Sequence, residues 1–167
     1  CCLRKEVGAV GAKLLYEDDT VQHAGVVIGF GTVAGHVFLG YPKDSIGYFN
    51  RTNMVGNWSA VTGACLMTKK KLFDEVGGLS EELAVAFNDI DYCLKVRKLN
   101  KLVVLNPRSL WYHYESVSRG YENDFKKIKR FEGEVKIFQD NWKDILVSGD
   151  PYYNINFDIG YTPFIVH

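Results

Sequence analysis

A chain of 167 residues, 47% hydrophobic and 24% charged, has the size and composition of one globular domain, which excludes an intrinsically disordered segment. Folding at this length buries roughly 70% of the extended surface, enough for a sizeable core. Twenty Lys and Arg offset 20 Asp and Glu, so no overall field draws the chain to nucleic acid or an anionic membrane, and a charged ligand has to be held by local geometry.

No apolar stretch approaches the ~20 residues that cross a bilayer, and the opening CCLRKEVGAV lacks a signal-peptide layout. The expected location is the cytoplasm, including the inner face of the membrane. Cys1 in place of Met reads as a longer protein cut upstream. The cysteines, at 1, 2, 65 and 93, form no C-x-x-C pair and no zinc spacing, so they are expected to be reduced, with Cys65 and Cys93 in the core.

In chain order, VGAVGAKLLY and VQHAGVVIGF read as two strands separated by the turn-forming EDDT. Gly29 to Gly56 is rich in Gly, aromatics and Asn without a sustained period, a loop length that is usually functional. WSAVTGACLMT reads as a buried strand, and KKKLFDEV as a helix stopped by Gly77 and Gly78. After Asp89, apolar residues at Ile90, Cys93, Leu94, Val96 and Leu99 predict a helix with one buried face. KLVVLNP is a strand ended by Pro107, and SLWYHYES a second extended run. Phe125, Ile128, Phe131, Val135, Phe138 and Trp142 predict one long amphipathic helix from Tyr121 to Leu146, weakly interrupted at Gly133. From Asp150 an extended tail is packed by its aromatics. With no repeat and no linker, residues 1–167 are expected to form a single α/β domain with a mixed sheet, because several strands are joined without room for a crossover helix.

The segment AFNDIDYCLKV concentrates chemistry-bearing residues at a helix start. Asn88 or Asp89 suits an N-cap, because a side-chain oxygen there accepts from an unpaired amide. Asp89 and Asp91 form a D-x-D, a pattern that holds divalent cations through oxygen ligands. A carboxylate fixed on the first helical turn also suits a general base. The residues alone leave all three readings open.

The run VTGACLMTKKKLFDEVGGLSEELAVAFNDIDYCLKV, followed by NPRSLWYHYESVSRG, resembles the C-terminal half of family 2 glycosyltransferases, which have the GT-A fold. Four family segments occur in order: Thr62 to Cys65, Phe73 to Gly78, Asn88 to Asp91 and His113 to Ser116. The upstream VGAVGAKLLYEDDTVQHAGVVIG is similar to bacterial members that build cell-surface polysaccharides, rhamnosyltransferases among them. The likeness covers about the first 120 residues.

The resemblance implies sugar transfer, usually inverting, from a nucleotide-diphosphate donor to the hydroxyl of a saccharide or lipid-linked acceptor. Asp89 would then be the catalytic base, with Asn88 binding the acceptor and Asp91 orienting the acceptor or the loop rather than touching metal. His113 matches a histidine that completes coordination of Mn²⁺ or Mg²⁺ beside the diphosphate; its other reading is an edge-strand histidine between tyrosines. Arg119 would pair with the diphosphate, or remain a surface arginine. Trp58 and Gly63 fall where family members place sugar and acceptor, the ring by stacking and the glycine by close backbone approach, while a tryptophan in such a run is more often core. His23 and His36 read as structural.

The family's nucleotide-binding half, with its metal-binding D-x-D, has no counterpart in the chain, and EDDT reads as a turn. The sequence is therefore expected to be the acceptor-side part of a GT-A domain, inactive by itself, with an open sheet edge prone to homo-oligomer formation. The alternatives are a non-catalytic carbohydrate-binding module, using the aromatics that make up 14% of the chain, and an assembly module. A hydrolase is a poorer reading, for want of a G-x-S-x-G and of a second carboxylate placed as its acid partner.

Overall fold

In the computed structural model, which describes residues 2–114, 125–160 and 162–166, the run VGAVGAKLL forms the central strand β1 (Val7–Leu15). It is buried along nearly its whole length, as expected of a strand covered on both faces. One edge of β1 pairs in parallel with the long strand β7 (Leu102–Tyr112). Its other edge is shared by two short antiparallel strands, β6 (Leu66–Thr68) and β2 (Val21–His23). Strand β5 (Gly56–Trp58) adds antiparallel to β7, giving a mixed five-stranded sheet in a mixed α/β fold. Among the described residues, β6 pairs with β1 alone, and Met67 on it is exposed.

Several elements differ from the sequence reading. VQHAGVVIGF is not one strand: it breaks at Gly25, whose φ of 118° only glycine adopts readily and whose backbone lies against the Trp58 ring. Beyond the break, β3 (Val26–Ile28) leaves the main sheet and forms a hairpin with β4 (Ala34–His36), inside the expected long loop. WSAVTGACLMT is continuous in burial pattern only at its start. The Thr62 hydroxyl accepts from the Ala64 amide at 3.3 Å and turns residues Gly63–Cys65 into a 3₁₀ turn between β5 and β6. Pro107 does not end a strand. β7 runs through it, the register with β1 shifting between Ala12 and Lys13, so the residue lacking an N–H falls in a bulge.

Helix α1 (Lys70–Glu75) ends as expected, with Gly77 and Gly78 at positive φ and the Gly78 amide donating to the Phe73 carbonyl at 2.8 Å. Helix α2 (Asn88–Lys98) buries Ile90, Tyr92, Cys93, Leu94 and Val96 toward the sheet. The long C-terminal helix is two: α3 (Phe125–Asn141) passes through Gly133 without a break, and Trp142, at φ −125°, separates it from α4 (Lys143–Ser148). The expected start at Tyr121 lies outside the described residues.

The tail packs as anticipated. Phe164 stacks on Tyr48 at 4.9 Å and on Phe38 at 4.9 Å, with Tyr153 and Phe157 edge-on or tilted around it. Buried Asp150 anchors the tail, accepting from the Ile28 amide (2.8 Å), the Ser59 hydroxyl (2.7 Å) and the Tyr152 amide (2.8 Å). Cys93 is buried, its thiol facing the Val61 carbonyl at 3.7 Å, and burial pushes that thiol up to about 12. Cys65 is half-buried rather than core. Among the described residues no helix is long and apolar enough to cross a membrane.

Candidate functional site

The segment leading into α2 is fixed from α3. Phe87 inserts its ring between Phe131 and Phe138, with centroids 5.5 and 5.4 Å away. Glu134, on the same face of α3 and only 3% exposed, accepts from the amides of Val85 (3.0 Å) and Ala86 (3.2 Å). With the chain held at both points, Phe87 adopts a left-handed φ of 64°, a conformation that costs a bulky residue of order 1–3 kcal/mol. It also occupies the N-cap position, with no side-chain cap. The expected cap by Asn88 or Asp89 is therefore corrected: both lie inside the helix, in its first turn.

Asp89 and Gly63 are brought together. The Gly63 amide donates to Asp89 Oδ2 at 2.6 Å, and the Ile90 amide to Oδ1 at 2.9 Å, so each oxygen keeps acceptor capacity. The carboxylate is half-buried and not sealed in the interior. A methyl group on residue 63 would stand 3.1 Å from Asp89 Cβ, which is why the closest approach falls on a glycine. The turn carrying Gly63 is held in place by Thr62, whose amide donates to His23 Nε2 at 3.3 Å. Asn88, also half-buried, opens the helix beside Asp89.

Asp91 has a different environment. It is 2% exposed, accepts from the Trp142 indole at 2.9 Å and has Lys95 Nζ 2.7 Å from Oδ2. Residues i and i+2 on a helix do not face each other, so Asp89 and Asp91 diverge and cannot share a cation. Of the two roles expected for Asp91, contact with an acceptor does not fit this burial, and its carboxylate instead ties α2 to Trp142 at the end of α3. For Trp58 the core reading holds, and the stacking reading does not. The residue is 1% exposed, with the Arg51 guanidinium 4.1 Å from its ring centroid and Phe38 edge-on at 6.4 Å, so no ring face remains for a sugar.

His113 follows β7. Its amide donates to the Leu15 carbonyl at 3.0 Å, its Nδ1 lies 2.8 Å from Gln22 Oε1, and Gln22 Nε2 donates to the His113 carbonyl at 3.2 Å. Among the described residues no group of three His, Cys, Asp or Glu side chains converges as a metal site, so of these residues His113 brings a single imidazole nitrogen. His113 and Asp89 share no hydrogen bond among the described residues. Arg119 and Ser116 lie outside the described residues.

EDDT is a turn, as expected. Asp18 accepts from the amide and hydroxyl of Thr20, and these bonds hold its carboxyl below the ordinary value. Asp19 meets the Tyr112 hydroxyl and Lys43, which lower it likewise. His23 is fully buried, and desolvation, followed by the neighbouring His36, pushes it well below 6.5. Two clefts, of about 520 Å³ between the β3–β4 hairpin and the tail and of about 470 Å³ beside Tyr48 and Phe157, border neither Asp89 nor His113.

Glu134 and Gln22 are the site residues that sequence reasoning missed. A glutamate between Phe131 and Phe138 on the apolar face of a helix is a signal for the first. Nothing local marks the second, because its partner is 91 residues away.

No family model matches the chain, and no solved structure does. It is similar to an uncharacterized protein, y4gI, of Sinorhizobium fredii: 50% identical over 98% of this chain and 18% of that protein. It is also similar to the O-antigen biosynthesis protein RfbC of Myxococcus xanthus, 35% identical over 90% of this chain and 12% of that protein. The chain thus spans less than a fifth of the length of either relative.

Proposed function

We propose that the chain is the acceptor-side part of a GT-A domain, belonging to an enzyme that transfers a sugar from a nucleotide-diphosphate donor to an acceptor hydroxyl. In this reading Asp89 takes the proton of the acceptor hydroxyl as its oxygen attacks the anomeric carbon. The new C–O bond forms while the bond from that carbon to the diphosphate oxygen breaks, and the electron pair leaves with the diphosphate. The expected outcome is inversion.

One observation carries the proposal: the Gly63 amide reaches Asp89 Oδ2 at 2.6 Å and joins two segments 26 residues apart around a half-buried carboxylate with spare acceptor capacity. A base needs that fixed direction and hydrogen-bond access to its proton. Asn88, beside it, is the remaining candidate for acceptor binding. A divalent cation such as Mn²⁺ or Mg²⁺, when bound, neutralises charge on the departing diphosphate, and His113 would supply one nitrogen ligand, with Arg119 assigned to the same charge. Likeness to a protein named for O-antigen biosynthesis supports a bacterial surface polysaccharide as the product class.

The test is Asp89→Asn in the protein at its full encoded length. Transfer falls by about 10²–10⁴, the range for a lost general base, while calorimetric binding of the donor stays within a factor of about three. Unchanged turnover in the variant would remove Asp89 from the chemistry. Lost donor binding would make it a binding residue instead.

A further inference from the structure

The Gln22 side chain and His113 meet at two points, and the geometry assigns the proton on the imidazole. The backbone carbonyl of His113 can only accept, so the Gln22 group 3.2 Å from it is the NH₂ end. That orientation leaves Oε1, an acceptor, 2.8 Å from His113 Nδ1. Nδ1 therefore carries the proton, and in the neutral ring Nε2 is left with its lone pair. Among the described residues Nε2 has no hydrogen-bond partner. Backbone and ring are fixed together, since the same amide grips both and the His113 amide is held by the Leu15 carbonyl at 3.0 Å. Gln22 is itself 6% exposed, so water competes little for either bond.

We infer that Gln22 is a positioning residue for His113: it selects the tautomer protonated on Nδ1, sets the ring's direction and presents Nε2 as a bare donor nitrogen. A ring nitrogen whose opposite N–H is anchored to a carbonyl oxygen is the arrangement in which histidine binds a transition metal ion, and loss of such an anchor typically lowers metal affinity 10- to 100-fold. In strand order β2 lies on the opposite side of β1 from β7, so Gln22 reaches His113 from another strand of the sheet. The next residue on β2, His23, holds Thr62, whose neighbour Gly63 donates to Asp89. Adjacent residues of β2 thereby support both proposed functional side chains. What Nε2 binds rests on the proposed function; the tautomer does not.

Nitrogen-15 NMR of the neutral ring tests the inference on the whole chain. The wild-type His113 resonances are expected to show a protonated Nδ1 and a bare Nε2. Gln22→Leu removes both contacts and shifts the tautomer ratio about five- to tenfold toward Nε2–H, the factor one neutral hydrogen bond carries. Gln22→Glu keeps an acceptor for Nδ1–H and restores the wild-type tautomer, which separates positioning from loss of packing. A proton found on Nε2 in the wild type, or a ratio unmoved by Gln22→Leu, overturns the inference. Titration with Mn²⁺ alone then reads the ligand: selective broadening of the His113 ring protons, weaker in Gln22→Leu, supports presentation to a cation. The stated tautomer without such broadening upholds the clamp and removes the metal from the proposed function.

Discussion

Replacing Glu134 tests whether α3 holds the entrance to α2. Its two oxygens accept from the Val85 and Ala86 amides at 3.0 and 3.2 Å, bonds that with a charged acceptor are worth about 1.5–3 kcal/mol each. Both amides belong to half-buried residues, so water recovers part of that value in a variant, and removing the buried carboxylate relieves its desolvation. The expected net loss for Glu134→Leu is about 1–3 kcal/mol. With a urea slope of about 2 kcal/mol/M, the unfolding midpoint falls by roughly 0.5–1.5 M. Glu134→Gln keeps one acceptor and turns its NH₂ against the other amide, giving about half the effect. Hydrogen exchange localises it: the Val85 and Ala86 amides exchange at least about tenfold faster, while Val103 and Leu105 in the sheet follow global stability only. An unchanged midpoint, together with unchanged exchange at Val85 and Ala86, would refute the clamp.

Gly63→Ala places a methyl 3.1 Å from Asp89 Cβ and displaces the carboxylate; stability is expected to drop by about 1 kcal/mol and transfer by the full-length protein by tenfold or more, read from kcat at saturating donor. Asp150→Ala strands the buried Ile28 amide and Ser59 hydroxyl, at an expected cost of about 3–5 kcal/mol in chemical denaturation, because two unsatisfied buried donors at 1–3 kcal/mol each add to lost packing. Buried His23, held well below 6.5, gives a pH dependence. The unfolded chain binds a proton near pH 6.5 that the folded chain resists. Stability from this group is therefore complete above pH 6.5 and declines as pH falls through the window down to the folded value, by at most about 1.4 kcal/mol per pH unit. His23→Gln flattens that slope in denaturation series run between pH 7 and 5.

Helix α2 and the Gly77–Gly78 stop were legible because their signals are local: apolar spacing at Ile90, Cys93, Leu94 and Val96, and positive φ at consecutive glycines. The mixed α/β class followed from element order. WSAVTGACLMT was not legible as a turn, since an apolar run reports burial but not backbone direction, and the Thr62 hydroxyl bond decides the direction. Pro107 signalled a strand end, whereas a bulge absorbs its missing N–H. At the site, the Asn88–Asp91 segment stood out by composition, whereas the bond from the Gly63 amide to Asp89 spans 26 residues and has no local signal. The separate fates of Asp89 and Asp91 follow from helical geometry once the helix start is fixed, and α3 fixes it through Glu134 and Phe87. Such long-range partners, like Gln22 for His113, leave no pattern in a single sequence.

The most direct test of the account is the position of the acceptor. In a crystal structure of the full-length protein with acceptor bound, the reacting hydroxyl oxygen is expected within 2.6–3.2 Å of an Asp89 carboxylate oxygen, with the Gly63 amide still donating to that carboxylate. An acceptor whose hydroxyl approaches a different side chain, or an Asp89 covered by the rest of the protein, would contradict it.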